Sequence, residues 1–327
     1  MSSATEVAEV RYVDALNQGM ADALAEDERV VLMGIDVGAG GGIFTVTRGL
    51  YERFGPDRVL DTPISEMGYV GAAVGAAMTG LRPIVEIMFM DFVGVCLDPI
   101  LNQASKLRYM TAGAFEIPVV FRTQTGAGRS AGAQHSQSLE AMFAHIPGLK
   151  VVIPATVTDA HDLMVESVRD PNPVLFVENR RLYGMRGDLD VDPLPLGRAR
   201  IAREGDDVTV LTWGQMLREC LKAADIAEVS LEVVDLRSLV PLDRETLIAS
   251  ARKTGHLLIV HEAVRDFGPG AELAASIGEE LYDELLAPVR RLAAPPVPMP
   301  FSPDLEKTLL PSAEKIAAAA VALRAES

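Results

Sequence analysis

The chain lacks the marks of several large protein classes. Its only two cysteines, Cys96 and Cys220, make neither a disulfide framework nor a zinc spacing. Both are expected to be free thiols packed in the interior. Basic charge is scarce, and the formal net charge is −16. Nucleic-acid binding needs a basic face to neutralise phosphates, so this balance argues against it, and it would repel anionic membranes. No apolar run reaches the roughly 18 residues of a membrane span. The opening Met1–Val10 is polar and acidic, unlike a secretory leader. A soluble protein of the cytoplasm, or of an organelle matrix after processing, is expected. Aromatic residues make up only 5% while 49% are hydrophobic. The cores must therefore rest on Val, Leu, Ile, Ala and Met.

What is present is alternation. Short β-rich runs at Val30–Ile35, Val59–Asp61, Ile84–Met88, Val119–Arg122, Val151–Ile153 and Val174–Val177 are spaced by helical patterns. The helices fall at Tyr12–Ala25, Val46–Phe54, Met67–Thr79, Leu97–Tyr109, Ser138–Phe143 and Asp159–Arg169. Continuous apolar strands separated by helices indicate a parallel sheet covered on both faces. The pattern breaks at Arg186–Gly197, RGDLDVDPLPLG, which reads as a linker. Strands at Val208–Thr212, Leu231–Asp235, Leu257–Val260 and Val289–Leu292 follow, with helices Met216–Ala224, Arg244–Lys253, Ala271–Leu286 and Ser312–Arg324. The fold class is α/β, with two domains of mainly parallel sheets flanked by helices, at 1–188 and 195–327.

Two glycine-rich segments follow strands. Gly34–Gly42 lacks the Lys-Ser/Thr of a phosphate loop, and Gly126–Ala131 matches GxGxxA without opening a helix or meeting an acidic ribose partner. Both read as loops at the carboxyl ends of strands, where ligands of open α/β sheets bind. In Asp61–Gly68, DTPISEMG, Ser65 can cap a helix and Glu66 falls in its first turn, where the helix dipole alone would favour an acid. Along that helix Gly68, Gly71, Gly75 and Gly80, with Ala72, Ala76 and Thr79, leave one side nearly bare. Each glycine costs about 1 kcal/mol against alanine, which close approach of another helix, in this chain or in another subunit, would offset. His135 stands on a loop among small residues, and its ordinary pKa near 6.5 suits proton transfer at neutral pH. Ser136 has no nucleophile elbow around it. His145, His161 and His256 read as structural, and His261-Glu262 is ambiguous.

At these residues the sequence resembles a family. DTPISEMG at Asp61–Gly68, GLRPIVEIMFMDF at Gly80–Phe92, NQASKLRYM at Asn102–Met110 and AQHSQSLEAMFAHIPGLKVVIP at Ala133–Pro154 are similar to β-subunits of thiamine-diphosphate-dependent dehydrogenase E1 components. RDPNPVLFVENRRLYG at Arg169–Gly184 and VVDLRSLVPLD at Val233–Asp243 extend the likeness to nearly the whole chain. The resemblance implies a pyrimidine-binding domain followed by a transketolase-type C-terminal domain. It implies that Glu66 hydrogen-bonds N1′ of the cofactor's aminopyrimidine and promotes its imino tautomer. Ile64, Met88 and Phe92 would surround that ring, and His135 would stand beside the reacting substituent. A potassium ion held by backbone oxygens of Val119, Ser167 and Val168, with Asp170 and Asn172, is implied by some relatives.

The metal-binding GDG…NN segment of thiamine enzymes is missing. By resemblance, an α-subunit should bring the diphosphate and Mg²⁺ end, in an α2β2 assembly serving a lipoyl E2 acyltransferase. The substrate signals diverge. MFMDFVGVCLDPILNQASKLRYM and RTQTGAGRSAGAQHSQSLEA look like pyruvate or acetoin types, whereas His261-Glu262-Ala263 looks like the branched-chain type. The alternative is a stand-alone two-chain lyase or carboligase without a lipoyl partner. A noncatalytic scaffold is disfavoured by retention of both Glu66 and His135.

Overall fold

The computed structural model describes residues 9–189 and 192–326. Met1 and Ser327, the outer bounds of the expected domains, and Asp190 and Val191 of the expected linker lie outside the described residues.

The strands are β1 Val10–Arg11, β2 Val30–Gly34, β3 Val59–Asp61, β4 Arg82–Ile87, β5 Val120–Thr125, β6 Lys150–Val152 and β7 Val174–Asn179. They continue as β8 Arg186–Gly187, β9 Arg200–Arg203, β10 Val208–Thr212, β11 Leu231–Asp235, β12 Ser238–Val240, β13 Leu257–Val264 and β14 Arg290–Ala294. The helices are α1 Tyr12–Glu26, α2 Leu50–Phe54, α3 Glu66–Met78, α4 Ser105–Met110, α5 Glu140–Ala144 and α6 Val157–Arg169. After them come α7 Met216–Ile226, α8 Arg244–Thr254, α9 Pro269–Glu280, α10 Pro303–Leu309 and α11 Ala313–Arg324.

A seven-stranded sheet runs β12-β6-β7-β5-β4-β2-β3, and a five-stranded sheet runs β14-β13-β10-β11-β9. Within the first, β3, β2, β4, β5, β7 and β6 are all parallel. β4, β5 and β7 are almost wholly buried, as strands covered by helices on both faces must be. Their outward and inward side chains enter separate apolar layers, with Val85 and Phe121 in one and Ile84 and Phe176 in the other. α1 packs along α6 on the second of these layers. At Gly19 an added Cβ would stand 2.8 Å from the His161 carbonyl oxygen, so only glycine permits this helix approach.

The expected strands are present, with three departures. β8 lies inside the expected linker and pairs antiparallel with β1. β9 and β12 carry no strong period in sequence, yet both add antiparallel edges. β12 crosses from the C-terminal half to complete the first sheet. Arg237, just before it, is fully buried, and its Nε donates to Asp159 Oδ1 at 2.9 Å across the two halves. The expected helix Leu97–Tyr109 is helical in two geometries, π and α, and is preceded by a third. A 3₁₀ segment Met90–Cys96 leads in, and a π segment Pro99–Ala104 precedes α4, starting at Pro99, which has no N–H to give to a regular helix. α9 stops at Glu280, short of the expected Leu286. There the chain turns back, and Leu286 N donates to Gly255 O at the end of α8.

Both cysteines are buried and free, and burial pushes each thiol up to about 12. Among the described residues, no helix is long and apolar enough to cross a membrane.

Candidate active site

The carboxyl ends of β2, β3, β4 and β5 open on one edge of the first sheet, and each releases a candidate segment there. The Gly34–Gly42 loop leaves β2 and is tied to β3, since Gly38 N donates to Asp61 Oδ1 at 2.6 Å. β3 leads through Pro63 into α3. Ser65 is the N-cap residue of α3, but its side chain makes no cap hydrogen bond. Glu66 follows in the first turn, half-buried, with Ile64 before it 82% exposed. β4 leads through Met88 and Phe89 into the 3₁₀ segment, and α3 packs on that segment. β5 leads into the loop 126–138 that carries His135.

These segments meet at an aromatic cluster. His135 stands edge to face on Phe89, with ring centroids 4.7 Å apart, and on Phe92 at 5.4 Å. Phe89 also meets Phe44, from the loop after β2, edge to face at 5.5 Å. The Arg180 guanidinium lies 4.2 Å above the Phe44 ring, where burial and then the neighbouring Arg129 lower its pKa. Asp91 Oδ1 accepts from Gln137 Nε2 at 2.8 Å, joining the 3₁₀ segment to the His135 loop. The electrostatics reach Glu66 as well. Its charge, after burial, raises the pKa values of Tyr69 and Cys96. The structure thus brings Glu66, Phe92 and His135 around one segment, with Met88 half-buried at its start and Ile64 held out toward solvent.

The potassium positions are a different case. Arg82 Nη1 donates to Val168 O at 2.7 Å, and Val119 O accepts from Val174 N at 2.9 Å. Lys150 Nζ pairs with the Asp170 carboxylate, and Arg108 Nη1 donates to Asn172 Oδ1 at 2.6 Å. Cationic side chains thus reach Val168 O, the Asp170 carboxylate and Asn172 Oδ1, and a backbone amide reaches Val119 O, so four of the five positions already have donors that compete with a cation. No group of three or more His, Cys, Asp or Glu that could hold a metal occurs among the described residues.

Other histidines fall in structural settings. His161 lies between Asp162 at 2.7 Å and Asp22 at 3.0 Å. Burial lowers its pKa, but the two carboxylates outweigh that and the net shift is upward. His256 Nδ1 is 3.1 Å from Thr254 O, and His145 is exposed at the end of α5. His261 stacks on Trp213 at 5.1 Å, and burial holds it neutral with a pKa of about 4.

Sequence reasoning missed the polar layer beneath the site. Arg122, 1% exposed in the middle of β5, donates from Nε to Glu178 Oε1 at 2.6 Å and from Nη2 to Oε2 at 2.7 Å. It also pairs with Glu86 of β4, and Tyr183 Oη donates to Glu178 Oε2 at 2.6 Å. Three charges taken out of water need such mutual satisfaction to be tolerated. The available signal was a charged residue, Glu86, Arg122 or Glu178, following an apolar run in each of three strands, RPIVEI, VFRTQT and VLFVEN.

Two covered sheets, with a half-buried carboxylate and a histidine converging on a ring-lined edge, define a transketolase-like α/β protein. Residues 8–186 match the family described as "Transketolase, pyrimidine binding domain", and 197–316 match "Transketolase, C-terminal domain". A solved structure described as "Split gene transketolase, inactive beta4 tetramer" superposes with a TM-score of 0.78 at 22% identity, covering 97% of this chain and 99% of that one. That likeness concerns the fold.

Among curated relatives, pyruvate dehydrogenase E1 component subunit beta-2, mitochondrial, of Oryza sativa subsp. japonica is 44% identical, covering 95% of this chain and 85% of the relative. The acetoin:2,6-dichlorophenolindophenol oxidoreductase subunit beta of Cupriavidus necator is 45% identical, with coverages of 94% and 95%. The 2-oxoisovalerate dehydrogenase subunit beta of Bacillus subtilis is 44% identical, with coverages of 94% and 96%. The chain belongs to the family of β-subunits of thiamine-diphosphate-dependent E1 dehydrogenase components. The residues present fit the aminopyrimidine of that cofactor, for Glu66 offers a half-buried carboxylate at the start of α3, and Met88 and Phe92 offer half-buried apolar side chains at and in the segment on which α3 packs.

Proposed function

We propose that this chain supplies the pyrimidine half of a heteromeric E1 active site. The enzyme decarboxylates a 2-oxo acid of pyruvate or branched-chain type, or cleaves acetoin, and passes the acyl group to lipoamide of an E2 partner. The carrying observation is the convergence of α3, the 3₁₀ segment and the His135 loop at one sheet edge. When bound, thiamine diphosphate supplies a nucleophilic carbon for the substrate carbonyl. Glu66 holds a proton at N1′ of the aminopyrimidine, while Ile64, Met88 and Phe92 pack around that ring and keep water from it. His135 gives or takes a proton during acyl transfer, with its ring oriented by Phe89 and Phe92.

The missing GDG…NN segment supports a reading in which an α-subunit brings Mg²⁺ and the diphosphate end, and the family resemblance supports an α2β2 assembly. The bare side of α3 supports such a partner. An added Cβ at Gly71 or Gly75 meets nothing within 4 Å, and Ile64 and Met67 nearby are exposed. We divide the chain near residue 190 and place the protein in the cytoplasm or, after processing, in an organelle matrix.

The split site is tested by calorimetry of thiamine diphosphate with Mg²⁺, on the β-chain alone and with its α-chain. Tight binding is expected only for the pair. Submicromolar binding by the β-chain alone would sink the reading.

A further inference from the structure

The loop that offers His135 to the site is held from its other side by the C-terminal segment. Every second residue along it takes a left-handed backbone: Gly126 at φ +95°, Gly128 at +91°, Ser130 at +54° and Gly132 at +77°. Alternation of this kind can turn successive N–H groups toward a common point and make a concavity for an anion. Here the anion is part of the same chain. Gly128 N donates to Glu306 Oε1 at 2.7 Å and Ser130 N to Glu306 Oε2 at 2.9 Å. Glu306 lies on α10, 178 residues beyond Gly128, and is only 2% exposed. Beside it, the Phe301 ring fills the space over Gly132, where a Cβ would stand 2.4 Å from the ring. The GxGxxA spacing therefore serves no nucleotide phosphate, because its amides are committed to a carboxylate.

We propose that Glu306 is a positioning residue of the active site. Its carboxylate clamps the loop at Gly128 and Ser130, and so sets where His135 stands against Phe89 and Phe92. The consequence for catalysis rests on the role given to His135 above. Charge-assisted hydrogen bonds of this kind are strong and directional. Their loss leaves two N–H groups without an acceptor and the loop free to shift. A displacement of about 1 Å in a catalytic group costs on the order of 10²-fold in rate.

The test uses Glu306→Ala and the isosteric Glu306→Gln, each assembled with the α-chain. Hydrogen exchange of peptides spanning 126–135 should quicken in both variants, while exchange in β4, β5 and β7 stays as in wild type. The lipoamide-linked rate should fall about 10²-fold in Glu306→Ala, and less in Glu306→Gln, whose amide oxygen still accepts one N–H. In a His135→Ala background, Glu306→Ala should cost less than about threefold more, since a residue acting through His135 has nothing left to position. Unchanged exchange at 126–135 in both variants overturns the clamp. A full additional loss in the His135→Ala background overturns the positioning role. A silent His135→Ala overturns the catalytic reading of that histidine, and the exchange measurement then decides the clamp by itself. If Glu306→Ala does not fold, Glu306→Gln carries both measurements.

Discussion

The rings of Phe92 and His135 meet edge to face with their centroids 5.4 Å apart. One belongs to the segment on which the Glu66 helix packs, and the other to the loop leaving β5. The contact fixes the imidazole by packing and leaves its nitrogens for chemistry. His135→Ala should depress the lipoamide-linked reaction about 10²-fold more than substrate-dependent reduction of an artificial electron acceptor, which intercepts the reaction earlier. Parallel assays on the assembled enzyme measure both. Equal losses would move His135 to an earlier step. Robust carboligation with an aldehyde acceptor and no lipoamide reaction in the wild type would favour the stand-alone lyase.

Glu66 stands in the first turn of α3 beside the buried Cys96 and Tyr69. Glu66→Gln keeps the volume and loses the charge proposed to hold a proton on the cofactor ring. Assembly with the α-chain should persist while turnover falls by about 10²–10⁴-fold, the usual scale of general acid–base contributions. A rate within about threefold of wild type on pyruvate, acetoin and branched-chain substrates would mean that the activating carboxylate lies elsewhere.

The bare side of α3 separates folding from assembly. At Gly71 and Gly75 a new side chain finds open space within the chain itself. Gly71→Leu or Gly75→Leu should thus leave the melting temperature of the β-chain unchanged or raised, since glycine costs a helix about 1 kcal/mol against better formers. In the complex the same side chain should overpack a close helix contact by about 1–3 kcal/mol. Size-exclusion chromatography with the α-chain should show dissociation. Normal assembly by both variants would leave this side facing solvent.

Glu262, at the end of β13, is buried against the His135 loop. Its Oε1 accepts from Asn179 Nδ2, and a Cβ on Gly126 would collide with it. Burial and then Glu140 push its carboxyl up to about 8, and burial pushes Glu140 up to about 7. The folded state thus holds protons that the unfolded chain releases near 4.5. The associated stability is full below that value and is lost as pH rises toward 8. Glu262→Gln is neutral and still accepts from Asn179. From about pH 5 to about pH 9 the wild-type melting temperature should fall more steeply than that of the variant. Parallel curves would show that Glu262 ionises in the fold without penalty.

The sequence by itself determined the alternation of strands and helices and the parallel sheets, while the pairing of Glu66 with His135 in one site came from the family resemblance. The alternation is local. An apolar run bounded by glycine or proline marks a strand whatever its neighbours are, and parallel strands deliver their carboxyl-end loops to one edge. The tertiary structure decided what depends on register and on distant partners. Arg122 is tolerable in a buried strand only because β4 and β7 bring Glu86 and Glu178 beside it. β12 becomes a strand of the first sheet only where β6 offers it an edge. The loop at Gly126–Gly132 looks like a ligand cradle until α10 brings Glu306 into it. A buried charge or amide is costly alone and stable when matched, and the matching group lies 36 residues from Arg122 in Glu86 and 178 from Gly128 in Glu306. Local pattern has no access to such pairings, because they exist only once the sheets have formed.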